Sequence, residues 1–482
     1  MISSSQNPIL PVRQFHRLAI EYGIVVLAVL TVAILAIQPE SLMVVVFVML
    51  VVTAVVKFDW FVYGIIFLLP WYPLPDLNLP VRDVFLVLHL FTFATVAIIR
   101  RREGKGIKDW LVGGRVRKAV VAFVLIATVS LLTSHLPPKL DAYRSLARLY
   151  SYVALFYAVA GWMDTREKAY RVINTTLIST IIVAIFGFYQ SIEGSYTDLY
   201  YRLYPLQEAS TLEDWSGRIT SFLFHFNSLA GYLNLAIPFA IAYTVLASRR
   251  STQILGMTCL CTATVALYLT GSRGGLLAFG AIILFSLVYI RLCFKPHSVN
   301  LFRGLVTLIM AAVIALALSP HESEQATRIQ SVDEFTQASR LTLWGAAAMM
   351  FIEHPALGIG YGNYRSTYND YLPQLEGDQL DAHEIYLQML AETGIIGFAV
   401  FLVLMGMFLR SGIKLAKQAD PFLRIVGLGV GGALVGLLVH GFVDFLFHVS
   451  PQFGTLFWVV MGIGVQASPG SLNRNTSETA IV

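Results

Sequence analysis

The sequence predicts an all-α, polytopic transmembrane helical bundle of about 12–14 spans, carrying a helical extracytoplasmic loop domain. Three observations predict it. Of the 482 residues, 56% are hydrophobic and only 13% charged, whereas soluble domains carry about 25% charged residues. Mean hydropathy is +0.68. Mostly apolar runs of about 20 residues, the length that crosses a bilayer, recur along the whole chain.

These runs begin near residues 20, 41, 59, 83, 118, 145, 169, 227, 253, 274, 302, 394, 423 and 450. Those near 41 and 59 are short enough to be re-entrant. With a cytoplasmic N-terminus, most of the 34 Lys and Arg fall in cytoplasmic segments, including the run from Arg100 to Lys118, as the positive-inside rule requires. The chain then divides into N-terminal spans with a first large exported loop (1–226), central spans with an SRGG turn (227–318), an extracytoplasmic loop domain (319–393), C-terminal spans (394–466) and a disordered cytoplasmic tail (467–482). Arg13 and Arg17 precede the first apolar run, but no small-x-small cleavage site follows it. Cys259, Cys261 and Cys293 sit in or at the end of apolar runs and suggest neither a disulfide nor a zinc site. No internal repeat is visible.

The loop domain carries helix signals. In "SRLTLWGAAAMMFIEHP", Leu341, Trp344, Ala348 and Phe351 share one face, and Pro355 stops the helix. "DAHEIYLQMLAETG" opens with Asp381 as N-cap and Glu384 three residues on, and it closes at Gly394.

Three exported-side positions point to chemistry. Arg273 lies in "LTGSRGGLL" with no acidic residue nearby. An Arg at mid-bilayer costs about 2.5–3.5 kcal/mol, so the joint between two spans, near the interface, suits it better. Glycines around it permit a sharp turn and leave backbone N–H groups open to a ligand. Arg218, in "SGRITSFLFHFNSLAGYL", precedes an apolar run. His383, followed by Glu384, opens the capped helix. Two arginines without paired carboxylates suit a diphosphate, whose oxygens accept bidentate guanidinium forks. A histidine at a helix N-terminus has its charged form disfavoured by the dipole, and Asp381 and Glu384 oppose this. Plainer readings stand beside these: Arg273 snorkelling to headgroups, Arg218 paired with Glu213 or Asp214, His383 an ordinary helix-start residue, and Glu384 a cap. His225 and Asn227 can cap the following helix. His440, Asp444 and His448 lie at helical spacing and read as a structural polar patch, with a proton relay as the alternative.

"GRITSFLFHFNSLAGYL", "LTGSRGGLL", "SRLTLWGAAAMMFIEHPALGIGYGNY" and "DAHEIYLQMLAETGIIGF", in this order, resemble the O-antigen ligase and O-antigen polymerase superfamily from about Arg218 to Gly397. The resemblance implies a C-type glycosyltransferase-like fold and an inverting transfer from a polyprenyl-diphosphate-linked glycan to an acceptor hydroxyl outside the bacterial plasma membrane. It implies no metal or other cofactor at the active site. It assigns Arg218, Arg273, Asn227, Ser272 and Arg340 to substrate binding and His383 with Glu384 to the catalytic position, with Arg340 and Trp344 also supporting the site. Two positions depart from the family pattern: His225 stands where proline is common, and Glu384 where asparagine often follows the histidine. The expected partners are the lipid-linked donor, a lipid or glycan acceptor and membrane lipids, with no nucleic acid. Competing readings are a polymerase of the same superfamily, a solute or bicarbonate transport-related protein, and a non-catalytic partner of a polysaccharide assembly complex. A transporter of the repeat type would show internal repeats and mid-span charges.

Overall fold

The structure is a computed structural model that describes residues 57–71, 82–135, 140–193, 218–223, 225–293, 334–372 and 381–467. The spans expected near residues 20, 41 and 302 lie outside these residues, as do most of the first exported loop and the C-terminal tail. The described regular elements are all helical. The first six are α1 (Phe58–Leu68), α2 (Arg82–Arg102), α3 (Ile107–Val112), α4 (Arg115–Leu132), α5 (Leu140–Trp162) and α6 (Arg166–Glu193). Then follow α7 (Phe226–Leu246), α8 (Arg250–Leu269), α9 (Arg273–Cys293), α10 (Glu334–Glu353) and α11 (Tyr364–Tyr371). The last are α12 (Ile385–Ala416), α13 (Pro421–His440), α14 (Leu446–Val449) and α15 (Pro451–Gln466).

Each expected span within the described residues meets a helix. Six of them are long and apolar enough to cross a membrane: α6, α7, α8, α9, α12 and α13. The protein is an all-α polytopic membrane protein. By contrast α1 has 11 residues, about 16 Å at 1.5 Å per residue, too short to span a hydrocarbon core of about 30 Å.

Helix α7 is the axis of the bundle, buried along almost its whole length. Its close neighbour α13 reads "GLGVGGALVG", and the glycines explain the approach. A Cβ at Gly429 would lie 2.2 Å from the Phe239 ring of α7, and one at Gly432 would lie 2.7 Å from Pro238. Small residues let helices pack backbone to backbone where lipid provides no hydrophobic driving force. Outer faces carry apolar stripes instead. Ile178, Ile185 and Ile192 on α6, and Leu277, Leu284 and Val288 on α9, are 44–82% exposed at spacings that keep them on one helix side.

The helix over α12 breaks where the sequence places its end. Gly394 has φ 61° and ψ −170°, a region essentially restricted to glycine. The broken backbone is filled by the loop after α10: Ile359 N donates to Ala391 O (2.9 Å), Gly360 N to Glu392 O (3.1 Å) and Ile395 N to Pro355 O (2.9 Å). Gly358 presses so closely that a Cβ would sit 2.4 Å from Ala391 O.

Two local expectations are corrected. The buried face of α10 is Leu343, Ala346, Ala347 and Met350, while Leu341 is 64% exposed. Leu343 and Met350 flank the two alanines on this face, which packs against Ala391 of α12. Asp381 is not the N-cap of α12. That role belongs to Glu384, whose carboxylate accepts from Tyr386 N and Leu387 N. The helix starts later because His383 has φ 50°, a left-handed conformation that cannot continue into a right-handed helix.

Candidate active site

Arg218 is laid along the end of α8 by a bond from Ile219 N to Leu269 O (3.3 Å). Its guanidinium stands 4.1 Å from the Phe226 ring centroid and 3.5 Å from Gly271 O. The Phe226 ring also stacks with His225 at 4.2 Å. Gly271 has φ +60°, and a Cβ there would come within 3.2 Å of Arg218 Nε. The sharp turn read from the sequence therefore exists, and glycine brings it against Arg218.

Ser272 and Asn227 were both expected at the substrate. Ser272 Oγ donates to Asn227 Oδ1 (2.6 Å) and accepts from Gly275 N (3.1 Å), so Ser272 caps α9. Asn234 Nδ2 adds a bond to Gly275 O (2.9 Å). The observed side-chain bonds of Ser272 and Asn227 thus tie α7 to the SRGG turn and fix where α9 begins. Arg273 is the first residue of that helix.

His383 is held by a buried polar frame. Gln388 Nε2 donates to Asp381 Oδ1 (3.0 Å) and Glu392 Oε1 (3.2 Å), while its Oε1 accepts from Ala382 N (3.1 Å). Trp344 Nε1 donates to Ala382 O (3.0 Å), which gives the expected supporting role a specific contact. Glu392 also accepts from Gly362 N (2.9 Å). Ile385 N donates to Gly441 O (2.8 Å), joining the start of α12 to the end of α13. The strained φ of His383 survives because these bonds fix the chain on both sides. Both oxygens of Glu384 accept from backbone amides in the cap. Burial raises its carboxyl above the ordinary value, and those two amides draw it back only in part.

The residue that sequence reasoning underrated is Asp444. It lies in the turn after α13, 1% exposed, with Oδ1 3.3 Å from His383 Nδ1. Burial alone raises its carboxyl. The bond and charge of His383, with His225 and His440 nearby, outweigh this and hold it well below the usual carboxylate range. The helical spacing assumed for His440, Asp444 and His448 does not hold, because α13 ends at His440. The signal that pointed to Asp444 was an acidic residue inside an apolar stretch, which is costly and marks function by default.

These pieces converge. His225 lies within electrostatic reach of Asp444, His383, Arg218 and His440, and burial pushes its imidazole down to about 4. Arg340 is within reach of Asp444 and Arg273, and burial lowers its guanidinium. Arg218 thus lies near His225, and Arg340 near both Asp444 and Arg273, so common neighbours link the three arginines to the histidine–carboxylate pair. A small, mostly apolar cavity between α5, α12 and α15 is lined by Ile385 and Phe445 together with Arg148, Tyr152, Met389 and Trp458.

A helical membrane protein with a half-open histidine paired to a buried aspartate, and arginines near by, is the class that fold and site define. Residues 257–402 match the family model described as O-antigen ligase, so this part of the chain is similar to that family. The match spans α8 through the first half of α12, taking in the SRGG turn, α10 and His383. Among curated proteins the chain finds no match.

Proposed function

We propose that the protein transfers a glycan from a polyprenyl-diphosphate carrier to an acceptor hydroxyl at the extracytoplasmic face of a bacterial inner membrane. The observation that carries this reading is the His383–Asp444 pair, with Arg218 near the neighbouring His225 and Arg340 near both Asp444 and Arg273. Asp444 accepts the Nδ1–H of His383 and leaves Nε2 able to take a proton. The acceptor hydroxyl gives that proton to Nε2 as its oxygen attacks the anomeric carbon from the side opposite the diphosphate, inverting the centre. The bond from the anomeric carbon to the bridging oxygen breaks, and its electron pair leaves on the diphosphate. Fixed guanidinium groups stabilise that developing charge electrostatically, so in this reading no metal is required. The positive-inside distribution of Lys and Arg supports the extracytoplasmic placement, and the family match supports the ligase or polymerase class.

The test is reconstitution of purified protein with a lipid-linked glycan donor and candidate acceptors. Transfer to a lipid acceptor supports the ligase reading, and chain elongation supports a polymerase. Ion or solute flux with no transfer to any acceptor would overturn both.

A further inference from the structure

His440 is buried to 1%, and neither Nδ1 nor Nε2 has a hydrogen-bond partner. A histidine ring carries at least one N–H in either charge state, and burying such a donor unsatisfied is costly. Asp444 is near, but its Oδ2 is also without a partner, so the two residues do not bond to each other and His440 is not a link in the His383–Asp444 pair. Its Cδ2–Nε2 edge is instead turned to the first turn of α9. A Cβ at Gly274 would lie 3.0 Å from His440 Cδ2 and 3.3 Å from Nε2. Glycine at 274 also avoids Val443, which a Cβ would meet at 2.2 Å, and so lets the ring stand close beside the N-terminus that begins at Arg273. Arg340 lies within electrostatic reach of the ring as well. A helix N-terminus, a nearby guanidinium and an unsatisfied N–H beside it have the makings of a receptor for an anion.

We propose that His440 is a donor-binding residue that hydrogen-bonds an oxygen of the diphosphate, alongside Arg273 and the first turn of α9. This rests on the diphosphate reading above and adds a neutral, directional donor to its cations. The arginines supply charge, and His440 selects where the oxygen sits.

The experiment is equilibrium binding of farnesyl diphosphate to the purified full chain in detergent, with farnesol as the uncharged control. His440→Leu is expected to weaken farnesyl diphosphate by about tenfold to a hundredfold, the range for a lost bond to a charged group, and to leave farnesol unchanged. His440→Gln, which keeps an N–H, should recover most of the affinity. Unchanged diphosphate binding in His440→Leu, with Arg273→Gln defective, would overturn the role of His440 and leave the wider reading standing. Unchanged binding in both variants would overturn the diphosphate reading itself. Equal loss for farnesol and farnesyl diphosphate in both His440 variants would mark the residue as structural and overturn the proposal.

Discussion

His383 Nδ1 lies 3.3 Å from Asp444 Oδ1, across 61 residues of sequence. The carboxylate is 1% exposed and the imidazole side chain 29% exposed, so the pair has a buried end and an open end. That polarity suits a base whose working nitrogen faces outward and whose other nitrogen is fixed by a buried acceptor.

Asp444→Asn should therefore reduce transfer by about a hundredfold or more, in line with the cost of a lost tautomer-setting carboxylate. The amide is nearly isosteric but can present an N–H to Nδ1, which puts the ring proton on the wrong side. The check is steady-state kinetics, where kcat should fall with little change in the donor KM. An equal fall in stability and binding would assign Asp444 to folding instead.

Arg218→Lys and Arg273→Lys should each lose most activity although charge is kept. Lysine cannot supply a planar bidentate fork, nor at position 218 a guanidinium over the Phe226 ring. Activity should survive chelation of divalent cations. Wild-type rates in both variants would leave the arginines as lipid anchors, and loss on chelation would reveal a metal requirement.

His225 N-caps α7 by accepting from Asn227 N at 3.2 Å. Its folded-state pKa is lowered by burial from 6.5 to about 4, so the unfolded chain binds its proton more readily. Stability from this group is complete above the unfolded value and is lost as pH falls between 6.5 and 4. His225→Asn, which keeps a capping side chain, should flatten that part of the stability–pH curve. Thermal midpoints of both proteins across the window supply the comparison, and parallel curves would contradict it.

Gly394→Ala should be strongly destabilising, by about 3 kcal/mol or more, since it combines a glycine-only φ/ψ with a Cβ 2.4 Å from Ala356 backbone. Yield of folded protein and its thermal midpoint would show this. A normal midpoint would mean that the break is not required.

Single cysteines at Asp370 and Lys105 test the sidedness. A membrane-impermeant thiol reagent applied to intact cells should label position 370 and spare 105. The reverse pattern would invert the topology.

Much of the bundle was legible in the sequence because a span is a property of local composition, and α6 to α9 start within a few residues of where hydropathy alone places them. Gly394 was legible too, since a glycine after a capped helix has few other uses. The face of α10 was not, because which side turns inward depends on how Leu343, Ala346, Ala347 and Met350 pack against Ala391 of α12. Asp381 and Glu384 compete for one cap, and the left-handed φ of His383 decides between them. Arg218, Arg273 and His383 were singled out by type and side of the membrane. Asp444 was underrated because its partner is distant in sequence, and only the turn after α13 brings it to the histidine.

The most direct test of the central claim is glycan transfer by His383→Ala and Glu384→Gln, with donor binding measured separately. His383→Ala should lose about 10²–10⁴-fold in rate while still inserting and still binding donor through its arginines. Glu384→Gln should do less harm, because Glu384 accepts from two cap amides. Normal turnover by His383→Ala together with an inactive Glu384→Gln would make the carboxylate the base and contradict the account.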